Sequence, residues 1–69
     1  MTRYIYQYRD DSVALNLSGS TGLTPLDITA AYGDEIWIDF ASPLDAKSKA
    51  SLDEFMASKS YYFNRAEEI

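Results

Sequence analysis

Two pairs of adjacent carboxylates, Asp10-Asp11 and Asp34-Glu35, are the residues whose type and spacing could do chemistry in this chain. Paired carboxylates serve as general acid and base when a cleft raises the pKa of one of them. They also hold divalent cations, but no Asp-x-Asp-x-Asp-Gly spacing of a calcium loop occurs here. The chain has no His and no Cys. That excludes a disulfide scaffold, a zinc finger, a His-held haem and any nucleophile–base pair built on Cys or His. Gly19-Ser20-Thr21-Gly22 lacks the Lys that would make it a phosphate-binding loop. A chain of 69 residues rarely encloses a catalytic cleft. The expectation is a protein that is not an enzyme and carries no cofactor and no metal.

Charge patterning points to a surface instead. The chain carries 11 acidic and 6 basic side chains, a net charge of −5. From Asp10 to Ala46 there is no Lys or Arg, while Asp10, Asp11, Asp27, Asp34, Glu35, Asp39 and Asp45 all fall in that stretch. Turns recruit Asp for their own geometry, yet a field of one sign also steers a partner of the opposite sign. A Trp flanked by two acids, Trp37 between Glu35 and Asp39, is a common interface anchor. The expected partner-binding residues are Asp10, Asp11, Asp34, Glu35, Trp37 and Asp39. The partner they fit is a basic protein surface, such as that of a nucleic-acid-binding protein. Direct nucleic-acid binding is not expected, because an aromatic stripe such as Tyr4, Tyr6 and Tyr8 would need positive potential beside it.

The elements that must position these residues follow from alternation. Residues 3–9 alternate Tyr4, Tyr6 and Tyr8 against Arg3, Ile5, Gln7 and Arg9, which predicts a strand. Residues 12–17 place Val13, Leu15 and Leu17 on one face and predict a second strand. Residues 35–40 place Ile36, Ile38 and Phe40 opposite Glu35, Trp37 and Asp39. Residues 18–24 read as a loop. Residues 24–33 admit two readings. Thr24-Pro25-Leu26-Asp27 has the grammar of a helix start with Gly33 as its stop, while Leu26, Ile28, Ala30 and Tyr32 alternate as a strand over 26–32. Ser42-Pro43-Leu44-Asp45 opens a helix over about 43–60, with Leu44, Leu52, Phe55 and Met56 as its apolar positions. Ser51-Leu52-Asp53-Glu54 is a second start signal inside it. Tyr61-Tyr62-Phe63 should pack back on the sheet, and 64–69 read as a fraying tail.

The expected fold is therefore α+β. It is a single domain over 1–69 with a small antiparallel sheet, one face covered by the C-terminal helix. If 35–40 pairs antiparallel with 3–9, both acidic pairs reach the same end of that sheet. No segment has the apolar run of a signal peptide or a membrane span, so the expected setting is intracellular.

Over residues 12–40 the chain resembles the AbrB/MazE swapped-hairpin family. The likeness lies in Ser-Val-Ala-Leu-Asn-Leu, the 24–32 segment and Gly33-Asp34-Glu35-Ile36-Trp37-Ile38-Asp39-Phe40. The resemblance implies a strand–helix–turn–strand order, an intertwined homodimer, and a role as antitoxin or transcriptional regulator. Ser18 replaces the family's usual Pro, the spacing is longer, and basic DNA-contacting residues are nearly absent. The composition itself favours a different function: a small acidic inhibitor and nucleic-acid mimic, of the kind phages and other mobile elements encode.

Overall fold

A computed structural model of the chain describes residues 1–8, 17–31 and 34–69. Its elements are β1 (Thr2–Tyr8), α1 (Leu17–Thr21), β2 (Asp27–Ala31), β3 (Glu35–Phe40), α2 (Ala46–Ser58) and β4 (Tyr61–Glu68). The strands form one four-stranded sheet in the order β2-β3-β1-β4. Every neighbouring pair is antiparallel. This is the small α+β architecture that the alternation predicts. The chain crosses from β3 to β4 through α2, and β1 fills the place between those two strands.

Register follows from which faces are apolar. β1 sets Tyr4 opposite Ile38 and Tyr6 opposite Ile36, and β2 sets Ile28 opposite Ile38 and Ala30 opposite Ile36. A slip by one residue would turn each of these toward the wrong face. α2 supplies Leu52, Phe55 and Met56 to the same side, where they pack with Tyr4, Tyr6, Leu17, Ile36, Ile38, Phe40 and Tyr61. Tyr6, Ile38, Leu52 and Met56 are fully buried. Burial of each such side chain stabilises the fold by roughly 1.5–3 kcal/mol. The Tyr4 hydroxyl accepts the Leu44 N–H at 2.8 Å, which fixes the approach to α2.

Several expectations need correction. Residues 27–31 are a strand, so the strand–helix–turn–strand order implied by the resemblance has no helix at 25–32. A strand over 27–31 requires a turn that leads it into β3. Three residues separate the paired Ala31 and Glu35, and the last of them must be left-handed in such a loop. Asp34 occupies that position with φ 64°, a conformation that Asp tolerates better than most side chains. The segment read as a loop over 18–24 begins inside a short helix. Buried Leu17 anchors it, Thr21 Oγ1 donates to the Leu17 carbonyl at 2.7 Å, and Gly22 ends it at φ 75°.

α2 starts at Ala46, three residues inside the expected boundary, because the side chain of Asp45 caps it by accepting the Ser48 N–H at 2.7 Å. The expected tail is not frayed. Residues 61–68 form β4, which pairs along β1 from Tyr8↔Tyr61 to Thr2↔Glu68 with a register shift around Asn64. The aromatic run therefore joins the sheet edgewise and does not lie across its face. Of the strand expected over 12–17, residues 12–16 lie outside the described residues and Leu17 belongs to α1. Among the described residues no helix is long and apolar enough to cross a membrane.

Candidate protein-binding face

The sheet face turned away from α2 carries most of the functional candidates, and the strand registers order them into rows. One row runs Asp27, Asp39, Arg3, Glu67 across the four strands, and the next runs Thr29, Trp37, Ile5, Arg65. Beyond it Ala31, Glu35 and Gln7 stand in register. The first row gathers three carboxylates around one guanidinium at the end of the sheet where β4 finishes in Glu68. Among the described residues no group of acidic side chains converges as metal ligands do. The row is a surface charge distribution, not a chelate.

Arg3 organises this end. Its Nε donates to Asp39 Oδ1 at 2.8 Å and its Nη2 to Asp39 Oδ2 at 3.1 Å, the two-pronged geometry that suits a guanidinium to a carboxylate. The same guanidinium carbon lies 4.3 Å from the centre of the Trp37 ring, a cation–π stack. The hydrogen bond to Asp39 raises the Arg3 pKa, and the charges of Glu67 and Asp27 add to it. Asp39 is buried, with 3% of its surface exposed. It is saved from the cost of an isolated buried charge by this pairing.

Trp37 is half-buried and its indole N–H donates to Glu35 Oε1 at 3.0 Å. Arg65 reaches Glu35 Oε2 at 3.1 Å and Glu67 Oε2 at 3.0 Å. The indole hydrogen bond, then the Arg65 hydrogen bond, hold the Glu35 carboxyl below its usual range. Glu67 and Glu35 together raise Arg65. Ile5, flanked across the strands by Trp37 and Arg65, is fully buried on this same face.

On the opposite face a second ionic group ties α2 to the sheet. The Tyr6 hydroxyl donates to Asp53 Oδ1 at 2.6 Å, and Lys49 Nζ holds both Asp53 oxygens at 2.7 and 2.8 Å. The Lys49 ammonium sits 3.5 Å from the centre of the Phe63 ring. Burial, then the bond to Asp53, raises the Tyr6 phenol, which stays protonated. Between α1 and α2 lies a depression of about 300 Å³ lined by Ser20, Thr21, Ser51, Glu54 and Phe55. It holds one carboxylate, so it does not present the carboxylate pair that the acid–base chemistry considered above requires.

The residues expected to bind a partner are distributed along the strands. Asp10 and Asp11 lie outside the described residues. Asp34 is exposed at the turn, and Glu35 begins β3 opposite Gln7 near the end of β1. Glu35, Trp37 and Asp39 share one face but not one end, since Asp39 sits four residues along β3. Of these three, Glu35 and Asp39 are bound to cations of the chain itself. Sequence reasoning missed Arg3, Asp27, Arg65, Glu67 and Glu68. The signal for Arg65 and Glu67 is the alternation of charged residues about Ala66, and nothing local marks Glu68.

No protein-family model, curated protein or solved structure matches the chain.

Proposed function

We propose that this protein is a binding module and not an enzyme, and that it docks the acidic end of its sheet on a basic surface of a partner protein. The partner class that fits is a nucleic-acid-binding protein, with the module acting as an inhibitor that occupies the surface nucleic acid would take. The observation that supports this reading most is the row Asp27, Asp39, Arg3, Glu67, with Glu68 at the same end of the sheet on the other face, where Thr2 Oγ1 donates to it at 2.8 Å. Arg3 is committed to buried Asp39, and Arg65 of the adjoining row is shared between Glu67 and Glu35; Asp27, Asp39, Glu67 and Glu35 against Arg3 and Arg65 leave the patch net negative. The half-buried Trp37 in the adjoining row offers apolar area within the same patch. An acidic rim with an aromatic at its margin gives fast, oriented association with a basic partner.

Partners captured from the native host on immobilised protein test this. A supporting partner is released by moderate salt, is competed away by duplex DNA or RNA, and binds Asp27→Asn/Glu68→Gln more weakly. A partner whose binding ignores salt, nucleic acid and those substitutions contradicts it.

A further inference from the structure

β4 has one neighbour among the described residues, β1, so its other edge carries backbone groups that no described strand pairs. Which groups these are follows from the register. Ile69 N–H donates to the Met1 carbonyl at 2.8 Å, and the pairs Thr2↔Glu68, Arg3↔Glu67 and Tyr4↔Ala66 continue from it. Antiparallel ladders alternate bonded and non-bonded pairs. Positions 65, 67 and 69 thus bond to β1, and positions 66 and 68 direct their N–H and C=O outward.

Charges on an edge strand ordinarily prevent pairing with another chain. Here their order is self-complementary. Exposed Tyr62 and Phe63 stand at one end of the strand, then come Arg65, Ala66 and Glu67, and exposed Ile69 ends it. We propose that the outer edge of β4 pairs antiparallel with the same edge of a second copy, about a two-fold axis at Ala66. Such an axis can fall on a bonded, outward-directed position, 66 or 68, or on a non-bonded one, 65 or 67. An axis at Glu67 or Glu68 would set two carboxylates against each other, and one at Arg65 two guanidiniums. The axis at Ala66 sets Arg65 of each copy opposite Glu67 of the other and brings Ile69 toward the Tyr62–Phe63 end. The two sheets become one continuous sheet of eight strands, an isologous dimer.

The test needs no binding partner, so it fails or succeeds independently of the docking reading. Sedimentation or light scattering across a dilution series should give twice 7.8 kDa at high concentration. Arg65→Glu alone and Glu67→Arg alone each surround the axis with like charges and should weaken the dimer about tenfold or more. An equimolar mixture of the two variants restores the opposite-charge pairs and should dimerise again. The chain has no Cys, so single-Cys variants report the register directly. Across a bonded pair the Cα atoms lie roughly 5.5 Å apart, inside the roughly 4.4–6.8 Å span of a disulfide. Ala66→Cys should cross-link to itself on oxidation, and Glu68→Cys, which faces Asn64, should not. A mass of 7.8 kDa at every concentration overturns the proposal. So does a dimer that both charge reversals leave intact, or one that cross-links through Glu68→Cys and not Ala66→Cys.

Discussion

The Arg3 guanidinium lies 4.3 Å from the centre of the Trp37 ring while holding buried Asp39 by two hydrogen bonds. One side chain therefore covers the aromatic anchor and neutralises the carboxylate beside it. Arg3→Ala should expose the indole, the only Trp in the chain. Quenching by iodide or acrylamide should rise and the emission should shift to the red. The same change leaves Asp39 buried without its counter-ion, so it should destabilise the fold more than Arg65→Ala, whose partners are more exposed. Paired denaturation curves compare the two.

Acid should loosen the molecule at identifiable carboxylates. Glu35 and Asp45 have folded-state pKa values below their ordinary 4.5 and 3.8, through the Trp37 and Arg65 hydrogen bonds and through the Ser48 N–H respectively. A depressed folded value means the stabilisation is complete above the ordinary value and is lost as pH falls through the folded one. The melting temperature should hold from neutral pH to about pH 5 and decline below it. Glu35→Gln and Asp45→Asn should each start lower at neutral pH and decline less steeply.

Core and margin should differ sharply under truncation. Leu52→Ala removes a fully buried side chain from beneath the sheet and should cost about 2–5 kcal/mol. Ile28 stands on the same face but is 38% exposed on edge strand β2. Ile28→Ala should cost less, about 1–2 kcal/mol, since more than a third of that surface is never taken from water. Urea unfolding monitored by circular dichroism separates these values.

How much of this was legible in the sequence depends on which residues carried a period. Tyr4, Tyr6, Ile36, Ile38 and Phe40 alternate cleanly, and Leu52, Phe55 and Met56 fall on one side of a helix, so the sheet, its buried face and its cover could be read directly. The strand starts at Glu35 as its alternation indicates, and Trp37 lies on the face away from α2. The rest turned on tertiary context. Thr24-Pro25 is a helix start in isolation, but Ile28 gains more from pairing with Ile38 than a short helix could return. Residues 64–68 have little apolar content, and only the presence of β1 gives their backbone a partner. The acidic row at Arg3 draws a residue from each of four strands, so no local motif could announce it.

The C-terminal segment is the clearest case where the two readings diverge. Removal of residues 65–69 from a fraying tail would cost nothing. Here it strips the pairs Ile5↔Arg65, Tyr4↔Ala66, Arg3↔Glu67 and Thr2↔Glu68 from central strand β1. The truncated chain should lose most of its cooperative unfolding transition, and in the full-length chain the amides of Arg65 and Glu67 should be protected from hydrogen exchange. Rapid exchange at both, with an unchanged transition after truncation, would return 64–69 to a tail.

The most direct test of the docking reading is a titration of isotope-labelled protein with a Lys/Arg-rich peptide, observed by the backbone amides and the Trp37 indole N–H. Binding at the acidic end predicts that the largest shifts fall at Asp27, Asp39, Glu67, Glu68 and the Trp37 indole. They should vanish as salt is raised and shrink in Asp27→Asn/Glu68→Gln. Asp53 and Glu54, acidic but on α2 and away from the end of the sheet where Asp27, Glu67 and Glu68 lie, serve as the internal comparison. Shifts centred on Asp53 and Glu54, or spread evenly over every carboxylate and unmoved by Asp27→Asn/Glu68→Gln, would contradict it.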